Sequence, residues 1–372
     1  MKLGVISENL LERLLLATNL VPRPIFDTQV ALMLARTVMA GTKLGIFEAL
    51  APGPLTAVEI SEKCLTDPRA TTKLLNALVG AQYLRMKKDG YTLTPLSRKW
   101  LLRDSPRSIY DKMLFHFTEW EWIEHYEEYV RTGIPLKIHA MLSDDGWGIY
   151  QRAMRAVTRF QTFEVVWRTP MPKNPRAMLD VGGAHGLFSI AFCRRYRQLR
   201  AVVLDIPEAV KHAAPMLANE GMGDRVVHRV GNALTDDLGI NEWDLIFISQ
   251  FAHHCDEATN RDLVKRAARA LRPGGVLAIQ DMLRPSSAKE PMLVLLTDLY
   301  FANTSQSGSW SLAEIADWQR AAGLQPLRPT RFRSLPGAGQ QAAVKPMLTT
   351  HRQDLKTKNR SKRTKKNIVF SI

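Results

Sequence analysis

Apolar positions in this chain follow one period in its first half and another in its second. Ile6, Leu10, Leu11, Leu14 and Leu15 recur at helical spacing, and a second helical run over 29–50 follows the breaker VPRPIFD. Both stripes are apolar enough to require a partner surface. Thr56 with Glu59 is a capping box that predicts a short helix to about Cys64, and Asp67 before Pro68 starts another through Leu74, Leu75, Leu78 and Val79. Residues 83–94, centred on Asp89-Gly90, read as a hairpin. Helix, helix, hairpin is the order of a winged helix. Aromatic-rich helical stretches follow at 110–130 and 147–167. From Asn174 short apolar runs at 177–181, 200–204, 225–230, 243–249 and 276–280 alternate with helical segments, which predicts a mostly parallel, doubly wound α/β sheet. RSLPGAGQQAAVKP (333–346) reads as its last hairpin.

The first of these runs, in AMLDVGGAHGL (177–187), stops in a glycine cluster that opens into a helix. Asp180 puts a carboxylate near the strand end, and Gly182-Gly183-Ala184-His185-Gly186 leaves a turn nearly without side chains, against which a bulky ligand can press. Asp205 ends the next run roughly twenty residues on, where a ribose-binding acid belongs. Turn and acid together imply an adenosine-containing cofactor. The spacing lacks G-x-G-x-x-G, so no pyrophosphate cradle can be completed and NAD is disfavoured.

The fourth run enters Phe251-Ala252-His253-His254-Cys255-Asp256. A histidine there can face bound ligand, and a neutral imidazole can take a proton from a hydroxyl at physiological pH; a buried or capping histidine beside the helix starting at Asp256 explains the residues equally well. Adjacent His253, His254 and Cys255 are expected to point in different directions and lack ordinary zinc spacing, so no metal is expected.

With 372 residues, 45% hydrophobic and 23% charged, the chain has ordinary globular composition and room for two domains. Glu8, Glu12 and Arg13 interrupt the first leucines, which excludes a signal peptide there, and no run reaches membrane length; a soluble, cytoplasmic protein is expected. Cys64, Cys193 and Cys255, odd in number and far apart, suggest packing residues in a reducing compartment. Net charge is +15, and about half of it lies in HRQDLKTKNRSKRTKKN (351–367), with eight Lys or Arg against one Asp. That tail reads as a nucleic-acid or anionic-membrane tether, or, preferred for want of interleaved aromatics, as a solvated extension. The winged helix makes a poor DNA reader, since 68–81 offers only Arg69, Lys73 and Asn76, and subunit contact suits it better.

Asp180, Gly182, Ala184 and Gly186 resemble the acid-x-G-x-G-x-G motif of class I S-adenosylmethionine-dependent methyltransferases, with alanine for the middle glycine. LDVGGAHG, VLDIPEAV and HHCDE followed by ALRPGG resemble more closely the O-methyltransferases that include plant caffeate and flavonoid enzymes and acetylserotonin methyltransferase, to about Pro346. The resemblance implies a winged-helix dimerisation domain (1–105), linker helices (106–173) that contribute to a substrate pocket, a Rossmann-like S-adenosyl-L-methionine-binding domain (174–346) and a basic tail (347–372). Phe115, Trp120, Trp122 and Met154 are its pocket candidates, while most aromatics of these helices read better as inter-domain core, since helical aromatic stripes usually pack. Asp180, Gly182, Gly183, Gly186, Asp205, Ile206, Asn232, Ala233 and Ser249 are its cofactor positions, Asn232 standing where an aspartate usually contacts adenine. It makes His253 the catalytic base and Asp281 the acid that orients it. His254 stands where an aspartate is usual, and the second orienting acid falls at Ser309. The implied protein is a homodimeric O-methyltransferase acting on a hydroxyl of a small aromatic or polyene-like metabolite. Two alternatives stay open: a relative that uses the cofactor for decarboxylation or hydroxylation, and a winged-helix regulator that senses it.

Overall fold

Local signals build the first hundred residues. In the computed structural model, which describes residues 6–347 except positions 8, 19 and 89, Asn9 accepts the Glu12 N–H and opens helix Leu10–Ala17. None of that helix is buried, and Leu10, Leu11 and Leu14, with Leu20, Leu32, Met33 and Leu34 beyond it, stay exposed. The single helix expected over 29–50 is divided. A π-helical turn Phe26–Val30 leads into helix Ala31–Lys43, and Gly45, at φ +78°, ends it before a short turn Ile46–Ala49. The left-handed glycine redirects the chain so that Ile46 and Phe47 enter the core with Leu50, Ile60, Leu75 and Leu78.

The capping box of Thr56 and Glu59 opens helix Ala57–Cys64, and Asp67 caps Pro68–Gly80. β1 (Leu84–Lys87) and β2 (Gly90–Leu93) form the expected hairpin, whose Asp89 lies outside the described residues. Asn76, one of the three candidate DNA-facing side chains, instead accepts the Tyr91 hydroxyl at 2.8 Å. The linker stretches divide into helices Tyr110–Ile123 and Tyr126–Thr132, then Asp144–Thr158 and Thr162–Arg168, with a one-turn helix Ile138–Met141 between. Tyr110–Ile123 packs on Asp144–Thr158 and on Ala31–Lys43.

The sheet contains β3 (Ala177–Val181), β4 (Arg200–Asp205), β5 (Val226–Val230), β6 (Trp243–Ser249), β7 (Leu271–Met282), β8 (Gln325–Pro326), β9 (Thr330–Arg331) and β10 (Ala338–Val344). Its order is β5-β4-β3-β6-β7-β10-β8, with β9 also on β10; β3 to β7 run parallel, and β10 is antiparallel to its neighbours. The chain leaves β3 to one side through β4 and β5 and returns on the other side as β6. That reversal opens a crevice at the carboxyl ends of β3 and β6. Central strands are buried on both faces: Leu179, Ile246 and Ile279 pack on one side, Met178, Phe247 and Ala278 on the other. β7 is longer than expected: Leu271 pairs with Trp243 and Met282 with Ala338, and Pro273-Gly274-Gly275 is carried between as an irregularity, the register to β6 shifting between Trp243 and Leu245 and Gly274 taking φ +80°.

Among the described residues no helix is long and apolar enough to cross a membrane. Cys193 and Cys255 are buried free thiols, and Cys64 is a partly buried one. The basic tail, Met347 apart, lies outside the described residues.

Candidate active site

The turn after β3 holds Gly182, Ala184 and Gly186 at φ +63°, +49° and +69°. Two glycines are demanded by the protein itself. A Cβ on Gly182 would lie 2.4 Å from the Phe251 ring, and one on Gly183 would lie 2.6 Å from the Asp180 carboxyl carbon. The expectation that the turn is bare so that a ligand can press on it is corrected to that extent: Phe251 and Asp180 fill part of the room. Asp180 lies beneath the turn, 1% exposed, and accepts the Ser189 hydroxyl at 2.6 Å. Burial pushes its carboxyl up to about 7, against the pull of that hydrogen bond.

Asp205, at the end of β4, accepts the backbone N–H groups of Ala184 and Ile206, both at 2.8 Å, and burial pushes it up to about 6. The Ala184 carbonyl accepts from His228 Nε2 at 2.8 Å. His185 accepts the Leu187 N–H at 3.2 Å, and burial beside Arg155 and Arg159 brings its imidazole down to about 3. Beyond β5, Asn232 is exposed with its Oδ1 committed to the Leu234 N–H, while Ala233 is buried. Three buried polar atoms at the ends of β3 and β6 have no hydrogen-bond partner: Asp180 Oδ1, Ser249 Oγ and Gln250 Nε2. A polar ligand in the crevice would answer that deficit. Gln250 also carries φ +53°, a conformation glutamine rarely adopts. Sequence reading passed over it, since nothing in FISQF marks the residue.

Past β6, Ala252–His254 form a 3-10 turn. Asn260 Nδ2 donates to the Ala252 and Cys255 carbonyls at 2.9 and 3.0 Å, and Trp310 Nε1 donates to Ala252 at 3.0 Å. On this clamped turn His253 is 3% exposed. Its Nδ1 lies 2.7 Å from Asp281 Oδ1, and its backbone N–H donates to Oδ2 at 3.2 Å. The Met282 N–H also donates to Oδ1, at 2.8 Å. Phe301 stacks on the imidazole, centroids 4.4 Å apart and planes at 24°.

His253 and His254 do not point apart as expected. Their ring centroids are 4.0 Å from each other, and His139 lies 4.6 Å from His254. The tight turn and its burial press consecutive rings into one pocket. Burial and the two neighbouring imidazoles take His254 well below the usual histidine range, and burial brings His139 to about 4. Among the described residues no group of three or more His, Cys, Asp or Glu could hold a metal ion. Ser309 is buried with an unpartnered hydroxyl and brings no acid to the turn.

Phe115, Trp122 and Met154 meet in one apolar cluster with Ile138, Tyr150 and Tyr300. Trp120 lies apart from it, under the Arg36 guanidinium. Glu119 ties this layer together, accepting from Lys112 Nζ at 2.6 Å and the Tyr300 hydroxyl at 2.9 Å. A groove of ≈ 540 Å³ lined by Phe163, Trp167, Leu187 and Arg195 lies elsewhere, between helices Thr162–Arg168 and Leu187–Arg195.

A doubly wound sheet with an extra antiparallel strand, carrying such a turn at its switch point, is the architecture of Rossmann-like methyltransferases. A family model described as the O-methyltransferase domain matches residues 132–325, and one described as the O-methyltransferase dimerisation domain matches 26–103. The chain belongs to this O-methyltransferase family and is an enzyme of that kind. It is similar to 3-hydroxy-5-methyl-1-naphthoate 3-O-methyltransferase of Streptomyces sahachiroi, 27% identical over 87% of this chain and 95% of that protein. It is also similar to acetylserotonin O-methyltransferase of Bos taurus, 27% identical over 80% of this chain and 91% of the relative. Among solved structures, human N-acetylserotonin methyltransferase in complex with SAM shares the fold: TM-score 0.78, 20% identity, 92% of this chain and 100% of that chain covered.

A carboxyl whose pKa rises on folding contributes fully to stability below its unfolded value, near 3.9, and the contribution is lost as pH rises through the folded value, here about 7. Asp180→Asn cannot ionise and should escape that loss. Between pH 5 and pH 8 the wild-type melting temperature should therefore fall further than that of the variant. Parallel changes would show that Asp180 is not a buried, reluctant acid.

Proposed function

We propose that this enzyme transfers a methyl group from S-adenosylmethionine to a hydroxyl of a small aromatic or polyene-like metabolite, with His253 as general base and Asp281 orienting it. The observation that carries the reading is the buried His253–Asp281 pair at the carboxyl end of β6, beside the glycine turn. The names of the relatives support the substrate class, since hydroxynaphthoate and acetylserotonin are both hydroxylated bicyclic aromatics.

When bound, S-adenosylmethionine supplies an electrophilic methyl on a positively charged sulfur. Asp205 would hold the ribose hydroxyls, with the 182–186 turn, Ile206, Asn232, Ala233 and Ser249 along the same edge and Asp180 supporting the turn from below. Because a carboxylate only accepts, His253 carries its proton on Nδ1 and keeps a lone pair on Nε2. That lone pair takes the acceptor's hydroxyl proton as the oxygen attacks, and Asp281 stabilises the imidazolium. The aromatic walls exclude water and align the acceptor, which supplies a further share of the rate.

Assembly as a homodimer through the N-terminal domain is supported by the dimerisation-domain match and by the exposed Leu10, Leu11 and Leu14. Light scattering should return about twice the 42.0 kDa chain mass. A stable, active monomer would remove this part of the reading.

On a panel of hydroxyindoles and hydroxynaphthoates, His253→Ala should lower kcat by about two to four orders of magnitude, with Asp281→Ala falling short of that loss. Calorimetric binding of S-adenosylhomocysteine should stay nearly unchanged in His253→Ala. Wild-type turnover in that variant would exclude the base. Asp205→Ala should show the converse, weakening S-adenosylhomocysteine by at least roughly tenfold through loss of charge-assisted hydrogen bonds. Unaltered affinity would remove Asp205 from the cofactor site.

A further inference from the structure

Three imidazoles stand in a row, His139, His254 and His253, although only the last enters the chemistry proposed above. Each end of the row is anchored. His253 is held by Asp281 and by stacking on Phe301. His139 stacks on Trp147, centroids 5.4 Å apart and planes at 16°, with its Nε2 3.3 Å from the Tyr150 hydroxyl. His254 lies between them, against both rings.

β7 brings Asp281 to His253, and helix Met292–Thr304 brings the uncharged Phe301. Helix Asp144–Thr158 brings Trp147 and the Tyr150 phenol to His139. His254 meets the other two imidazoles. Asp256 on the same loop is turned away, capping the next helix through Thr259 and lying 3.4 Å from Gln306 Nε2. The Ser309 segment adds no charge.

Resting on the reading of His253 as base, we infer that His254 and His139 are positioning residues: neutral imidazoles that brace the base where the family motif has an aspartate, and leave His253 as the one ring of the three that takes up a proton. Neighbouring imidazolium ions with ring centroids 4.0 or 4.6 Å apart repel, so His254 cannot be charged together with either neighbour without penalty. Of the three rings, His253 is the one hydrogen-bonded to Asp281, which directs the proton there. The burial that holds His254 and His139 neutral works in the same direction. An aspartate at position 254 would instead put a second carboxylate against the base and favour its protonated, idle form at neutral pH. In this enzyme the bracing is aromatic.

The test is an NMR titration of the full chain with labelled histidine, with and without S-adenosylhomocysteine. His253 should titrate while His254 and His139 stay neutral down to the acid unfolding limit. His254→Asp should raise the His253 midpoint by about one to three pH units, as a carboxylate at this distance does, and His254→Asn should leave it in place. A lost brace of no electrostatic consequence would move neither midpoint. His254 or His139 gaining a proton before His253, or an unmoved midpoint in His254→Asp, overturns the inference; the wild-type order of titration decides even if a variant fails to fold. The base assignment stands or falls separately on the turnover of His253→Ala.

Discussion

Two carboxyl groups, Asp180 and Asp281, lie buried along the carboxyl edge of the parallel sheet, a third, Asp205, is half-buried there, and each is answered differently. Desolvating an ion costs several kcal/mol, while a hydrogen bond to a charged group returns about 1.5–3 kcal/mol, so the donors each carboxyl finds decide its state. Asp180, with the Ser189 hydroxyl, is pushed further from the ordinary range than Asp205, with two backbone N–H groups. Asp281 collects an imidazole and two backbone N–H groups. The glycine turn, the Asp205 crevice and the histidine turn are the places where the chain supplies those donors, so fold and site answer one constraint.

The histidine turn also depends on parts of the chain far away in sequence. Asn260 and Trp310 hold its carbonyls, and Phe301 and His139 pack its rings. Helix Tyr110–Ile123 is joined to helix Met292–Thr304 through Glu119 with Tyr300 and through the Trp122 carbonyl with Asn303, which also meets His125 just beyond the helix. Gln161 is bonded to Gln280 within the sheet at 2.9 Å. Linker and sheet are thereby registered through buried polar pairs, which tolerate less sliding than apolar packing does.

What could be read from the sequence was local. Buried parallel strands announce themselves as unbroken apolar runs, and the Thr56, Asp67 and Asp256 caps lie within three residues of the N–H groups they bind. Local signals misled where a single dihedral outweighed them, as at Gly45 inside the second helical run. Asp281 and His253 could be proposed through the family resemblance alone, because at the residue level a buried or capping histidine explained position 253 equally well. The row of histidines could not, because His139 sits in a one-turn helix with no periodic signal and reaches His254 only when the linker docks.

Gly182 and Gly183 owe their bareness to Phe251 and Asp180, both parts of the protein. A descendant of this chain that abandoned its cofactor would still be held to glycine at both positions by packing alone. The glycine signature is then a record of how strand and turn fit together, and a lineage can keep it intact long after its chemistry has gone.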